Sequence, residues 1–328
     1  MAKKNVVAES TKRYMKKPDK FLSGIAPLDL MFTSGGWPTG KWYQFLGKQS
    51  SGKSTALMQI AGEQLRAGKH VLWFDTEAVF DPEYALAFGI TTDEKEEGYA
   101  FHDLFELYQP ENLEELGDKF IEFLDTVTDG IIIVDSVAFG TTRKEMEKTF
   151  DDNAKTAVAA TFWTRLINLT VVKVLKTRNT VFLINQLRDN LAPMAMEADK
   201  PFGPRAIQHV SSLNLLFKVI KREKDGEVVH VIVQSWQKNK LNGRVNYSVP
   251  MRITLGQGFE YKDNVLEYAI GQKVVKQEGA SYSFVHPETG ELQKARGRAK
   301  ALVLFDFDTI LQVLRKNSNT AGEVESDE

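Results

Sequence analysis

GKQSSGKST, residues 47–55, matches the pattern G-x-x-x-x-G-K-[ST]. Gly47 and Gly52 allow backbone angles that side chains forbid, so that successive N–H groups can converge on one anion. Lys53 places a positive charge near the β- and γ-phosphates of a nucleotide, and the hydroxyl of Ser54 can join the coordination shell of Mg²⁺. The apolar run before the loop predicts a strand, and the run after it predicts a helix whose N-terminus lies beneath the phosphates. The stretch therefore predicts a nucleoside triphosphate site.

The composition limits the class of protein. The chain has 328 residues, of which 42% are hydrophobic and 26% charged, and its formal net charge is −2. This length suits one large domain with a smaller one. No apolar run approaches the roughly 20 residues of a membrane-spanning helix, and the N-terminus lacks the apolar core of a signal peptide, so we expect no membrane partner. The absence of cysteine excludes disulfides, thiol catalysis and cysteine-ligated metals.

Strand-like and helix-like blocks alternate after the loop. Short apolar runs predict strands at 71–75, 131–135, 180–184, 213–220 and 228–235. Helical spacing of apolar residues predicts helices at 111–127 and 154–176. This alternation predicts an α/β fold with a mostly parallel central sheet flanked by helices, whose ligands lie at the carboxyl ends of the strands.

The character of the sequence changes along the chain and predicts four segments. Residues 1–34 form a basic N-terminal arm, which is either a solvated tail or a segment that docks on a neighbouring subunit or on DNA. Residues 35–259 form the core, with irregular stretches at about 141–155 and 187–204 that leave neighbouring strands and could face one groove. Residues 260–316 form a small C-terminal α/β domain, and residues 317–328 form an acidic, disordered tail.

Polar side chains that follow predicted strands are candidates for triphosphate chemistry. Asp135 ends the strand at 131–135, where a carboxylate can hold Mg²⁺. Glu77 lies two residues past another strand and is the second carboxylate, with Asp75 as a competitor closer to that strand. The amide of Gln186 can detect a γ-phosphate because it carries a donor and an acceptor. Each has a structural alternative: a helix cap for Asp135, a solvated loop acid for Glu77, and a helix or turn cap for Gln186.

Several segments together resemble the RecA-type homologous-recombination ATPases, in a compact form like those encoded by bacteriophages. The resemblance covers residues 21–316, and its motifs occur in the family's order. GKQSSGKST is similar to the family's P-loop, WFDTEAVFDPEYALAFGI to its second signature, and IIIVDSVA to its metal-carboxylate strand. FLINQLR resembles the strand that enters the second DNA-binding loop, and QKNKLNGR resembles a lysine-pair segment. ITLGQGFEY and GQKVVKQEGASYSF are similar to the passage into the C-terminal domain.

The resemblance implies a role for each matched residue. Glu77 would polarise the attacking water, and Gln186 would sense the γ-phosphate. Asp81 would bond the amino group of adenine and Tyr84 would stack on its ring. The catalytic residues are then Glu77, Lys53, Gln186, Lys238 and Lys240, of which the last two reach across a subunit interface. The nucleotide-binding residues are Gly47, Gln49, Ser50, Ser51, Gly52, Lys53, Ser54, Thr55, Asp81 and Tyr84, and the metal ligands are Ser54 and Asp135.

The two loops would bind DNA, but both carry nearly balanced charge, which departs from the family pattern. Binding would therefore depend on backbone N–H groups, a few cations and apolar wedges. The candidate DNA-binding residues are Arg143, Lys144, Arg188, Met194, Met196 and Arg205. His209 stands where the family often has an aromatic residue that signals between subunits. A basic cluster of Lys294, Arg296, Arg298 and Lys300 is either a site for duplex DNA or a solvated face.

The resemblance implies a DNA-dependent ATPase that uses ATP and Mg²⁺, forms filaments on single-stranded DNA and promotes homologous pairing and strand exchange. Its partners would be single-stranded DNA, double-stranded DNA and further copies of itself, with ATP at the subunit interface. A single-strand-binding protein or loader is a further candidate partner. The location would be cytoplasmic, on the nucleoid of a bacterial or infected bacterial cell. The alternatives are a hexameric replicative helicase, which would need a domain before the core, and a recombinase paralogue that regulates or loads another protein.

Overall fold

The computed structural model describes residues 19–30, 35–94, 98–138, 140–146, 157–189, 199–223, 225–242 and 245–323. Their strands are β1 (Lys20–Phe21), β2 (Trp37–Pro38), β3 (Trp42–Gly47), β4 (Val71–Asp75), β5 (Thr91–Asp93), β6 (Tyr99–Phe101), β7 (Phe105–Tyr108), β8 (Ile131–Asp135), β9 (Thr180–Asp189), β10 (Asp199–Pro201), β11 (Leu213–Arg222), β12 (Val228–Asn239), β13 (Ser248–Thr254), β14 (Gly258–Phe259), β15 (Lys276–Glu278), β16 (Ser281–Val285) and β17 (Leu292–Arg296). Their helices are α1 (Ala26–Leu30), α2 (Lys53–Arg66), α3 (Pro82–Leu86), α4 (Leu113–Thr126), α5 (Arg143–Met146), α6 (Ala157–Thr177), α7 (Arg205–Val210), α8 (Tyr261–Gly271), α9 (Arg298–Leu304) and α10 (Phe307–Glu323).

The central sheet has the strand order β14-β13-β12-β11-β3-β9-β8-β4-β7, and β10 pairs with β9. The six strands from β11 to β7 run parallel, while β12, β13, β14 and β10 pair antiparallel with their neighbours. The register aligns Gly47 with Gln186 and Asp75 with Asp135. The predicted α/β fold is confirmed. The residues expected to bind phosphate and metal follow β3 and β8, which lie on either side of β9, at the carboxyl ends of the strands.

Two apolar layers cover the faces of this sheet. On one face α2 packs its buried residues, such as Leu57 and Ile60, against Phe45 and its neighbours. On the other face α4 and α6 bury Phe120 and Trp163. The helix α4 begins where Asn112 accepts a hydrogen bond from the backbone N–H of Glu115, and its apolar residues recur at helical spacing. Burying such side chains contributes about 1.5–3 kcal/mol each, so the sheet edge is held rigidly.

The residues after the central sheet form α8, a three-stranded antiparallel sheet of β15, β16 and β17, and the helices α9 and α10. Arg298 donates to Asp263 at 2.7 Å and to Glu267 at 2.8 Å, so this arginine is engaged in ion pairs rather than presented with Lys294 and Arg296 as a basic surface. The helix α10 continues to Glu323, so residues 317–323 are helical where the sequence predicted the start of a disordered tail; they include no proline that would end the helix. The domain boundaries remain predictions.

The segment Val158–Thr177 of α6 is long and apolar enough to cross a bilayer by length and composition alone. It is not a continuous apolar run in the sequence, because Arg165, Lys173 and Lys176 interrupt it. One side of this helix buries Trp163, Leu166 and Val174 against the sheet. A core helix passes the same test of length and composition.

Candidate functional site

The loop at residues 47–55 accepts only glycine at two positions. A Cβ on Gly47 would lie 2.6 Å from the backbone carbonyl oxygen of Phe217, which cannot move aside, whereas one on Gly52 would lie 2.3 Å from Cδ1 of Ile253, the end of a flexible side chain. Gly52 also has φ of 93°, in the left-handed region that glycine tolerates, and it immediately precedes the first residue of α2. The turn therefore aims the N-terminal N–H groups of α2 into the loop, which is an arrangement that binds phosphate.

Lys53, the first residue of α2, lies across the mouth of this loop. Its Nζ donates to the carbonyl oxygens of Gly47 at 3.1 Å and Lys48 at 2.8 Å, and only 7% of the residue is exposed. Burial lowers the pKa of Lys53, and the charges of Asp135 and Glu77 oppose that shift. The ammonium group of Lys53 is bonded to neutral carbonyl oxygens rather than to a carboxylate, so its positive charge is suited to pair with the phosphates of a nucleotide.

Ser54 and Asp135, the predicted metal ligands, are in contact. The Ser54 hydroxyl donates to Oδ2 of Asp135 at 2.8 Å. Burial raises the pKa of Asp135 to about 6, and the bond from Ser54 counteracts that rise. Among the residues that the structure describes, no cluster of three or more His, Asp or Glu could hold a metal. The pair fits Mg²⁺, which is commonly bound through one or two protein groups and completes its shell with phosphate and water.

Glu77 lies between two donors beyond the end of β4. Its Oε1 accepts from Oγ of Ser136 at 2.7 Å and from Nε2 of Gln186 at 3.3 Å. Gln186 belongs to β9 and lies beside Gly47 in the sheet register, so one amide connects the carboxylate with the start of the phosphate loop. The structure thus brings together the predicted water-activating carboxylate and the predicted phosphate sensor.

Asp75 has a structural role in this site. Its carboxylate accepts from the backbone N–H of Val79 and of Phe80, both at 3.1 Å, and from Nε2 of Gln109 at 2.9 Å. These bonds fix the turn that carries Glu77. Asp75 therefore orients the turn, and Glu77 is the carboxylate with a side chain directed toward Gln186.

The predicted adenine residues lie on α3. Asp81 caps this helix through Oδ1, which accepts from the backbone N–H of Glu83 at 2.9 Å and of Tyr84 at 3.1 Å. The hydroxyl of Tyr84 donates to Oγ1 of Thr55 at 3.1 Å, which ties α3 to the first turn of α2. Tyr84 therefore lies beside the phosphate loop, and Asp81 caps the helix that carries Tyr84. Contact of either side chain with adenine remains a prediction.

A model of the RecA N-terminal domain family matches residues 2–260. The chain belongs to the RecA family. The RecA protein of Salinispora arenicola is 27% identical over 312 residues, which cover 92% of this chain and 80% of that protein. The plasmid RecA of Lactococcus lactis is 29% identical over 265 residues, covering 80% and 73%, and the RecA of Deinococcus radiodurans is 27% identical over 276 residues, covering 82% and 72%. Membership confirms the resemblance and supports a general role in DNA recombination and repair, with ATP and DNA binding.

Lys238 and Lys240, the predicted lysine pair, contact the end of α7 in this RecA-family chain and not the phosphate loop of the same chain. Nζ of Lys238 donates to the carbonyl oxygens of Gln208 and, at 2.7 Å, of His209. Nζ of Lys240 donates to the same His209 oxygen at 3.3 Å. Burial, followed by the neighbouring charge of Lys240, lowers the pKa of Lys238 to about 8. Their reach to a neighbour's phosphates remains a prediction.

The predicted DNA-binding residues are placed only in part. Arg143 begins α5, where its backbone N–H donates to Glu114 at 3.0 Å, and Arg205 begins α7 with its side chain exposed. Met194 and Met196 lie outside the described residues, as do the side chains of Lys144 and Arg188. The stretch at 187–204 is not irregular throughout, because β9 runs on to Asp189 and pairs antiparallel with β10. A stem of two strands therefore carries this segment of the RecA-type core.

The structure shows two side-chain contacts near the phosphate loop that the sequence did not predict. Ser136 bonds Glu77 as described, and Nη2 of Arg222 donates to the carbonyl oxygen of Ser50 at 2.9 Å. Ser136 directly follows Asp135 at the end of β8, and this position alone could have indicated that it lies near the site. Arg222 is distant in sequence and stands at the end of β11, and no local pattern indicates its contact.

Proposed function

We propose that this RecA-family chain is a DNA-dependent ATPase that assembles on single-stranded DNA as a filament and promotes homologous pairing and strand exchange. The observation that carries the proposal is the alignment of Lys53, Asp135, Glu77 and Gln186 along the carboxyl ends of adjacent strands. Such an alignment supplies phosphate binding, metal binding, water activation and γ-phosphate sensing at one edge of the sheet.

Each group has a separate task in hydrolysis. Lys53 and the N–H groups of the loop bind and orient the phosphates, and Glu77 orients the attacking water and accepts its proton. Ser54 and Asp135 would hold Mg²⁺, which when bound would supply positive charge close to the phosphates. Gln186 is within bonding distance of Glu77 and heads the β9–β10 stem, so the same amide faces the nucleotide on one side and the segment proposed to bind DNA on the other.

The lysine pair is proposed to complete the site of the next subunit. Lys238 and Lys240 are held together by the carbonyl of His209 and present two cations that the phosphate loop of their own chain does not use. Cations added from a neighbouring subunit stabilise the charge that develops during phosphoryl transfer. Hydrolysis would then depend on assembly, which links ATP turnover to filament formation on DNA.

The proposal is tested by steady-state ATPase assays with and without single-stranded DNA, together with electron microscopy of the assemblies. We expect DNA to stimulate wild-type turnover and the microscope to show filaments. Glu77→Gln is expected to form filaments with ATP but to hydrolyse about 10²–10⁴-fold more slowly, because a general base is lost. Glu83→Gln, an exposed acid on α3, serves as the matched control and is expected to retain turnover.

Three results would contradict parts of this proposal. Wild-type turnover by Glu77→Gln would remove Glu77 from its role. Closed rings in place of filaments would favour the helicase alternative. Turnover that does not respond to DNA would separate ATP hydrolysis from DNA binding and favour a regulatory paralogue.

A further inference from the structure

Ser136 makes the shorter of the two hydrogen bonds to the carboxylate of Glu77. Its Oγ lies 2.7 Å from Oε1, whereas Nε2 of Gln186 lies 3.3 Å from the same oxygen. A hydroxyl-to-carboxylate bond at this distance has full strength, while the amide bond is near the limit of hydrogen-bond geometry. Ser136 is therefore the stronger of these two hydrogen-bond donors to Glu77.

The hydroxyl of Ser136 has only one direction in which to donate. Its Oγ accepts from the backbone N–H of Ala138 at 3.3 Å, and a serine hydroxyl carries a single hydrogen. Ser136 is fully buried, so water does not compete for that hydrogen. The acceptor that remains for it is Oε1 of Glu77.

Ser136 is itself fixed to the end of β4 through Thr76. The backbone N–H of Ser136 donates to Oγ1 of Thr76 at 2.8 Å, and that hydroxyl donates back to the carbonyl oxygen of Ser136 at 2.8 Å. The backbone N–H of Thr76 donates to the carbonyl oxygen of Asp135 at 2.9 Å. These bonds continue the Asp75–Asp135 register past the end of the sheet, and they fix Ser136 relative to the metal-binding carboxylate.

We propose that Ser136 is a positioning residue that holds Glu77 in place while Gln186 exchanges its bond between Glu77 and the nucleotide. Both donors meet Oε1, which leaves Oε2 to accept from the attacking water. An amide that turns to a γ-phosphate gives up its bond to Glu77, and the buried hydroxyl is then the donor that stays. This inference rests on the proposed function, because it assigns Ser136 its role through Glu77.

The first test separates turnover from nucleotide binding. Ser136→Ala is expected to lower kcat about 10- to 100-fold, as for loss of a hydrogen bond to a charged group, with KM for ATP within about twofold of wild type. Thr170→Ala removes another buried hydroxyl, one that donates within α6 to the carbonyl of Leu166, and is expected to retain kcat. Melting temperatures of both variants show whether either is poorly folded. Ser136→Cys keeps the volume with a weaker donor and is expected to give an intermediate kcat, which decides the question if the alanine variant does not fold.

The second test asks whether Ser136 acts through Glu77. In a Glu77→Gln background, measured by single-turnover hydrolysis, Ser136→Ala is expected to cause no further loss, because the group it positions is already gone. An equal fold-loss in both backgrounds would overturn the proposal, and so would a Ser136→Ala enzyme with wild-type kcat or with the whole effect in KM. Failure of the proposed function shows separately, as wild-type turnover by Glu77→Gln alone.

Discussion

Raising the pH from 7 to 9 is expected to weaken ATP-dependent assembly of this chain through one side chain, Lys238. In the single chain its Nζ is bonded to two carbonyl oxygens at the end of α7, and burial together with Lys240 lowers its pKa to about 8. A lysine with a lowered pKa carries its charge below that pH and loses it as the pH rises. The proposed contact with a neighbour's phosphates needs the charged form.

The size of the effect follows from the pKa of about 8 for Lys238. Charged chains outnumber neutral ones by about ten to one at pH 7, and neutral chains outnumber charged ones by the same ratio at pH 9. If phosphate keeps the lysine charged in the assembly, each neutral chain must take up a proton in order to assemble. The apparent assembly constant is therefore expected to fall up to about tenfold across this range.

Sedimentation or light scattering at fixed ATP, Mg²⁺ and salt would measure this change. Lys238→Arg keeps its charge throughout the range and is expected to remove most of the pH dependence. Lys262→Arg is the matched control, since Lys262 also donates to a carbonyl oxygen, that of Leu302 at 3.3 Å, and it is expected to behave as wild type. An unchanged pH profile in Lys238→Arg, or a flat profile in the wild type, would refute the reasoning.

Two further predictions concern stability. Burial raises the pKa of Asp29 to about 7 in the folded chain, despite hydrogen bonds from Ser23 and Trp37 that favour the ionised form. Protonated Asp29 therefore favours the folded state fully below about pH 4. As the pH rises from about 4 to about 7, the free energy of unfolding is expected to fall by at most about 4 kcal/mol. Asp29→Asn should flatten this change in urea titrations at pH 4.5 to 8, and a slope equal to wild type would contradict it. Gly62→Ala should cost about 1–2 kcal/mol in the same assay, because its Cβ would lie 2.0 Å from the carbonyl oxygen of Phe88, and this overpacking outweighs the helix propensity gained. Equal or greater stability would show that α2 shifts freely.

The parts of the fold that the sequence predicts well are those with a strong local pattern. β4 and β8 have the predicted bounds, since each is a short, wholly apolar run that ends in a carboxylate. Parallel neighbours place their carboxyl ends together, and this general rule brings Asp135 and Glu77 to the phosphate loop without any knowledge of side-chain contacts. The loop itself depends on two glycines: Gly47 lies too close to a backbone oxygen for a side chain, and Gly52 has a positive φ that favours glycine.

The parts that sequence reasoning missed depend on partners distant in the chain. β9 extends past residue 184, the predicted end, to Asp189 because β10 pairs with residues 187–189. The polar residues after 184 had predicted a loop. The bond from Arg222 to Ser50 and the bonds from Lys238 to the end of α7 join residues separated by 172 and about 30 positions. No periodicity or motif encodes such contacts, because they follow from strand order and register.

The segment proposed to bind DNA is flanked at both ends by residues that contact groups proposed to act in ATP hydrolysis. At its start, Gln186 bonds Glu77 and heads the β9–β10 stem; at its finish, α7 offers the carbonyls of Gln208 and His209 to Lys238. A change in the segment that moves the stem would move the Gln186 amide, which is proposed to sense the γ-phosphate. A change that moves α7 alters the lysine that is proposed to serve the next subunit. If Lys238 serves the next subunit as proposed, movement of this segment on DNA would act on Glu77 of its own subunit and on the cation that the neighbour receives. Hydrolysis would then depend on both DNA and assembly.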